Sequence, residues 1–99
     1  MARIELAPEV LLDFDRFFDH MADRGTKDAA ERIGEVIEAI QILARSPRIG
    51  RMVREGKREL VIGRESRGYV ALYRHVPDID TVFVLAVRSQ RESGFKKKR

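Results

Sequence analysis

An α+β domain is the fold class this 99-residue chain predicts: β-α-α-β-β-β, a helical hairpin packed on one face of a small, mainly antiparallel sheet. Three observations predict it. Two stretches before residue 45 carry apolar side chains at helical spacing, and from Arg58 onward the period falls to two. The connections between the later segments are too short for crossovers, so they favour an antiparallel meander.

Arg3-Ile4-Glu5-Leu6-Ala7 alternates polar and apolar, a short opening strand. Pro8 suits a first helical turn, where its missing N–H would be unpaired anyway. Val10, Leu11, Phe14, Phe17, Phe18 and Met21 then recur at helical spacing, with Asp13, Asp15, Arg16 and Asp19 between them. The pattern breaks from Ala22 to Gly25, and Gly25 suits a left-handed exit. Thr26 can cap a second helix, and Asp28 opposes the positive end of its first turn. Ile33, Val36, Ile37, Ile40 and Leu43 form its apolar stripe, which Ser46-Pro47 ends.

Residues 46–57, SPRIGRMVREGK, hold two glycines, a proline and four basic residues and read as a loop. Three strands are expected after it: Arg58 to Gly63, Gly68 to Val76, and Thr81 to Arg88. Gly63 and Gly68 flank a hairpin loop, and Pro77-Asp78-Ile79-Asp80 is a turn. Val82 to Val87 is apolar without a break, which predicts a central strand covered on much of both faces.

The bulk composition narrows the function. A chain that is 43% hydrophobic and 36% charged is globular, with room for one modest core. The absence of Cys excludes disulfides, thiolate metal sites and Cys nucleophiles. The only histidines, His20 and His75, are far apart, so neither a metal nor any other cofactor is expected. MARIELAPEV lacks the apolar core of a signal peptide, and no stretch approaches the roughly 20 apolar residues of a membrane span, so a cytoplasmic location is expected.

Charge is divided unevenly. Residues 1–45 hold six Lys/Arg against ten Asp/Glu, a net of −4. Residues 46–99 hold fourteen against six, a net of +8. The basic half suits an anionic partner, either nucleic acid or an acidic protein segment.

Ser46-Pro47 with Ile49-Gly50-Arg51, then Arg58-Glu59-Leu60-Val61-Ile62, then Gly68-Tyr69-Val70-Ala71-Leu72-Tyr73-Arg74, and last Val82 to Val87 closing on Arg88, Gln90, Arg91 and Glu92 follow in that order. In this order and spacing, over about residues 3–92, the chain resembles the RelE/ParE superfamily of toxins from type II toxin–antitoxin systems. The resemblance implies a single toxin domain over residues 1–95, with Lys96-Lys97-Lys98-Arg99 as a basic tail. One branch of the superfamily, RelE-like, cleaves mRNA, usually on the ribosome. The ParE-like branch is associated with poisoning DNA gyrase.

Metal-free RNA cleavage needs a base for the ribose 2′-OH, a cation for the phosphorane and an acid for the leaving oxygen. In cleaving relatives an arginine opens the strand after the hairpin glycine, a place that falls here at Val70. Ser89, Gln90 and Arg91 stand where a His-Tyr pair would fall, and Phe95 stands near the place of a later Tyr. Arg58, Arg74, Arg88 and Arg91 can bind phosphate, and His75 could move a proton. Alternation nonetheless sets His75 on the face opposite Arg74. The ParE-like reading is therefore favoured, with no catalytic residue assigned.

Other groups have plain readings beside functional ones. Arg51, Arg54, Lys57 and Arg58 form either a solvated basic loop or a surface that steers an anionic partner. Arg64 and Arg67 in the hairpin loop share that ambiguity, with Glu65 between them. Arg88, Gln90 and Arg91 are either a solvated strand end or part of a target- or antitoxin-binding surface. Tyr69 and Tyr73 face the same way; they could stack on bases, but packing beneath the helices is the expectation, as Phe14, Phe17 and Phe18 pack in the core or between helices. His20 is expected on the surface.

A toxin of this kind implies a short acidic antitoxin in a hetero-oligomeric complex, laid in a groove between helices and sheet or along a strand edge. The expected target is DNA gyrase. The alternatives are ribosome-bound mRNA, or a degenerate member that binds its antitoxin and poisons nothing.

Overall fold

The computed structural model describes residues 1–23, 29–63 and 68–89. The expected cap at Thr26, the exit at Gly25, the loop residues Arg64, Glu65 and Arg67, and everything from Gln90 onward, including Arg91, Phe95 and the basic tail, lie outside these residues. So does the side chain of His20.

Strand β1 (Arg3–Leu6) leads into helix α1 (Pro8–Asp23), which continues past the expected break at Ala22. Helix α2 (Ala29–Ile42) follows and ends in tightened turns whose amides at Leu43, Ala44 and Arg45 each reach back three residues. Three longer segments match the expected strands within a residue at either end: β3 (Lys57–Ile62), β4 (Tyr69–Val76) and β5 (Thr81–Ser89). Between β4 and β5, Pro77–Ile79 forms a 3₁₀ turn closed by the Asp80 amide on the Pro77 carbonyl.

The expected loop over 46–57 is corrected. It contains a further strand, β2 (Arg51–Met52), paired antiparallel with β3. A tight turn joins the two: the Lys57 amide donates to the Arg54 carbonyl, and Glu55 and Gly56 both take positive φ, 59° and 74°. Consecutive left-handed residues match the twist of hairpin strands, which is why such turns favour Asn-Gly or Asp-Gly. Glu-Gly disguises the same geometry. Glu55→Asn is expected to stabilise the domain by about 0.5–1 kcal/mol, since Asn tolerates this conformation better. A thermal melt that failed to rise would contradict that account.

The sheet runs β1-β5-β4-β3-β2, with β1 parallel to β5 and the other neighbours antiparallel. The two helices pack on one face. Val10, Phe17, Val36 and Ile40 from the helices, with Leu43 just after α2, meet Ile62, Ala71, Tyr73, Val82, Val84 and Val87 from the sheet. Other members of the expected stripes lie at the rim: Phe18 is 47% exposed, and Leu11 and Ile37 are exposed too.

Strand β5 is an interior strand, flanked by β1 and β4, and none of Val82 to Val87 is exposed, as its unbroken apolar run predicts. A bulge lies where β4 passes from Leu72, opposite Ala86, to Tyr73, opposite Val84. Leu85 is the extra residue, so the buried positions change phase from Val82 and Val84 to Val87. Phe83 and Ala86 fill the outer face of the same run, so the bulge leaves no break in its apolar pattern.

Candidate functional site

Alternation along β4 points Tyr69, Ala71 and Tyr73 toward the helices, which leaves Val70, Leu72 and Arg74 on the outer face. Directly opposite residues share a face, so Lys57, Glu59 and Val61 of β3 join the outer face and Arg58, Leu60 and Ile62 the inner. Arg51 stands opposite Glu59. On the other flank, Phe83 lies opposite Arg74, and Ile4 packs into the core, which turns Arg3 and Glu5 outward.

The predicted site residues therefore separate into groups. Arg51, Lys57 and Arg74 come together on the outer face, with Arg54 in the turn at one end. Arg58 does not join them. Its guanidinium donates to the carbonyls of Gly50 at 2.8 Å and Arg48 at 3.2 Å. Tyr73, directly opposite it, donates its hydroxyl to the Pro47 carbonyl at 2.8 Å and accepts from the Gly50 amide at 2.9 Å. Four hydrogen bonds from two facing residues thus clamp the segment after α2. Gly50 is required there by space, because an added Cβ would lie 2.7 Å from the Glu59 carbonyl and from the Tyr73 ring.

Arg88 has an internal partner. Its guanidinium donates at 2.8 Å to Asp13, a carboxylate on α1 that is only 4% exposed. The other Asp13 oxygen accepts the Val87 amide at 2.9 Å, and Arg16 donates to the first at 3.0 Å. Strand β1 ends opposite Val84, so Asp13 continues the hydrogen bonding of the β5 edge where the neighbouring strand stops. By sequence alone Asp13 reads as a polar spacer between apolar residues. Its signal was position: it falls in the apolar stripe, three residues after Val10 and four before Phe17.

The groups that could move protons stand apart from the outer-face cations. Tyr73 is fully buried with its hydroxyl engaged, and Tyr69 packs against Phe17 with ring centroids 5.2 Å apart. His75 also faces inward, its buried Nε2 without a hydrogen-bond partner and 3.7 Å from an Asp80 oxygen. No described His or Tyr side chain shares the face that carries Arg74 and Lys57. Val70 lies between Val61 and Arg88 in the register.

The cations are unequally satisfied. Arg51 meets Glu59 at 2.8 Å, Arg3 meets Glu5 at 3.0 Å, and Lys57 lies 3.5 Å from Glu55. Half-buried Arg74 has no carboxylate partner among the described residues, and the residue directly across from it is Lys57. The described residues include no group of three or more His, Cys, Asp or Glu side chains that could hold a metal. No described helix is long and apolar enough to cross a membrane.

Residues 4–94 match the family model described as the ParE toxin of the type II toxin–antitoxin system, parDE. No curated protein matches the chain. Among solved structures, the chain is similar to one titled as the chromosomal ParDE system of P. aeruginosa, with TM-score 0.75 and 19% identity, covering 90% of this chain and 96% of that one. The intact E. coli RelBE toxin–antitoxin complex gives TM-score 0.61 and 14% identity over 90% and 96%. RelBE2 from Mycobacterium tuberculosis gives 0.53 and 20% over 89% and 96%. The likenesses share the two-helix, mixed-sheet fold, and with the family model spanning nearly all of it, the chain belongs to the ParE toxins of type II toxin–antitoxin systems, within the RelE/ParE superfamily.

Proposed function

We propose that this toxin arrests growth by binding, with DNA gyrase as its target, and is neutralised by an acidic antitoxin in a hetero-oligomeric complex. One observation carries the choice of binding over cleavage. The described outer-face cations have no His or Tyr beside them, because Tyr69, Tyr73 and His75 all face the helices. Charge stabilisation without a positioned proton donor and acceptor is a poor nuclease and an adequate docking surface.

The antitoxin partner is supported by the solved complexes of similar fold, which pair toxins with antitoxins. The basic half of the chain adds charge complementarity. Purified chain added to a gyrase supercoiling reaction is expected to block supercoiling or trap cleaved DNA, and to leave ribosome-bound mRNA intact. Cut mRNA with unaffected gyrase would instead establish a RelE-like endonuclease. Arg88 is a poor residue with which to test the target surface by Ala substitution, since its loss also removes the bond to Asp13. Arg74 and Arg54 avoid that confusion.

A further inference from the structure

We propose that Arg74, with Lys57 beside it, is the receiving site for an acidic side chain of a protein partner, held within an apolar stretch of the outer sheet face. The inference rests on reading the chain as a toxin bound by an acidic partner, and it names where that partner's charge would lie.

Arg74 and Lys57 are directly opposite on adjacent antiparallel strands and share a face. Like charges so placed repel and destabilise a strand pair. Here the repulsion is only half compensated. Lys57 has Glu55 at 3.5 Å, whereas Arg74 has no carboxylate within ion-pairing distance among the described residues. Glu55 is itself held at positive φ in the turn. The same turn brings Gly56 to within 3.8 Å of the Arg74 guanidinium, measured from the Cβ that Gly56 lacks. A Cβ at Gly56 would only touch that guanidinium, and glycine leaves this flank of Arg74 uncovered.

The surroundings decide what kind of anion fits. Leu72 and Phe83 lie half-buried beside Arg74, and Val61 is exposed farther along the same face. A polynucleotide asks for a track of free cations with aromatic platforms for its bases. On this face Arg51 and Arg3 are already satisfied by Glu59 and Glu5, and Arg88 is held by Asp13. What remains is a place for one or two carboxylates bordered by apolar side chains. That pattern matches a segment in which Glu or Asp stands among Leu, Ile or Val.

Arg74→Gln tests the site, with a labelled peptide of alternating Leu and Glu as the probe and fluorescence anisotropy as the readout. The same peptide with Gln for Glu and a single-stranded RNA serve as comparisons. The unaltered chain is expected to bind the Glu peptide in preference to both, and Arg74→Gln is expected to weaken that binding about 30-fold. The substitution should also raise the melting temperature of the free chain, because it relieves the repulsion from Lys57. A merely structural arginine would lower it.

Equal binding of the Glu and Gln peptides, unchanged binding by Arg74→Gln, or preference for RNA at Arg74 would each overturn the proposal. The proposed function fails separately. Gyrase inhibition without peptide binding removes the acidic site alone, while peptide binding with gyrase and mRNA both untouched removes the poison and keeps the site.

Discussion

Asp13→Ala is expected to destabilise the domain by about 2–3 kcal/mol, a fall in Tm of roughly 10–20 °C for a chain of this size. Most of the cost arises at the Val87 amide, a buried donor whose acceptor is the Asp13 carboxylate. Left unpaired it carries the desolvation penalty of an unsatisfied backbone group. The ion pairs contribute less. Arg88 and Arg16 are each more than two-fifths exposed, so water takes up much of what Asp13 gives them. Asp13→Asn should cost less, since an amide oxygen can still accept from Val87. Arg88→Ala on its own should cost less than Asp13→Ala, and almost nothing once Asp13 is already Ala. Chemical denaturation of the four chains completes the cycle. If both single variants cost the same, the guanidinium and not the strand amide is the anchor.

Gly50→Ala is expected to cost about 3 kcal/mol, the upper part of the range for forcing a methyl group into filled space. Two of the three obstructing atoms belong to the ring and hydroxyl of Tyr73, which is fully buried, and the third is backbone on β3. None is the free end of a flexible chain. Moving Tyr73 also breaks its bonds to Pro47 and Gly50, so the loss is compound. Tyr73→Phe is expected to cost about 1–2 kcal/mol by orphaning the Gly50 amide. Combined with Gly50→Ala it should cost less than the sum, because the hydroxyl is one of the atoms in the way. A Gly50→Ala chain that melts within about 2 °C of the original would mean that the segment after α2 shifts freely.

Periodicity made most of the architecture legible. The stripe through Val36, Ile40 and Leu43 and the alternation through Tyr69, Ala71 and Tyr73 each place residues in the core that the structure also buries. Two features escaped for physical reasons. The β2–β3 turn uses Glu at a left-handed position, so its composition does not announce its geometry. The bulge at Leu85 lies inside a run that is apolar on both faces, so no break in alternation marks it.

The site was less legible, because the sequence lists cations without their counter-ions. Arg58, Arg74 and Arg88 look alike as letters. The register gives the first to a loop, sets the second opposite a lysine, and joins the third to a carboxylate 75 residues earlier. Asp13 shows the converse. A charge inside an apolar stripe is a signal, but its partner lies at the far end of the chain and no local pattern names it.

The order of the strands has a consequence for the birth of the protein on the ribosome. Among the described strands, the first synthesised pairs only with the last, Ile4 against Val82, and Asp13 waits for the amide of Val87. Contacts so distant in sequence require a large loop to close before they stabilise anything, which slows folding. The β3–β4 hairpin, built from neighbours, can form while the chain is still emerging. Strand β1 and the inner face of α1 cannot settle until β5 is out. The nascent toxin therefore stays unfinished, with Asp13 still unpaired to Arg88, until nearly the whole chain has been made.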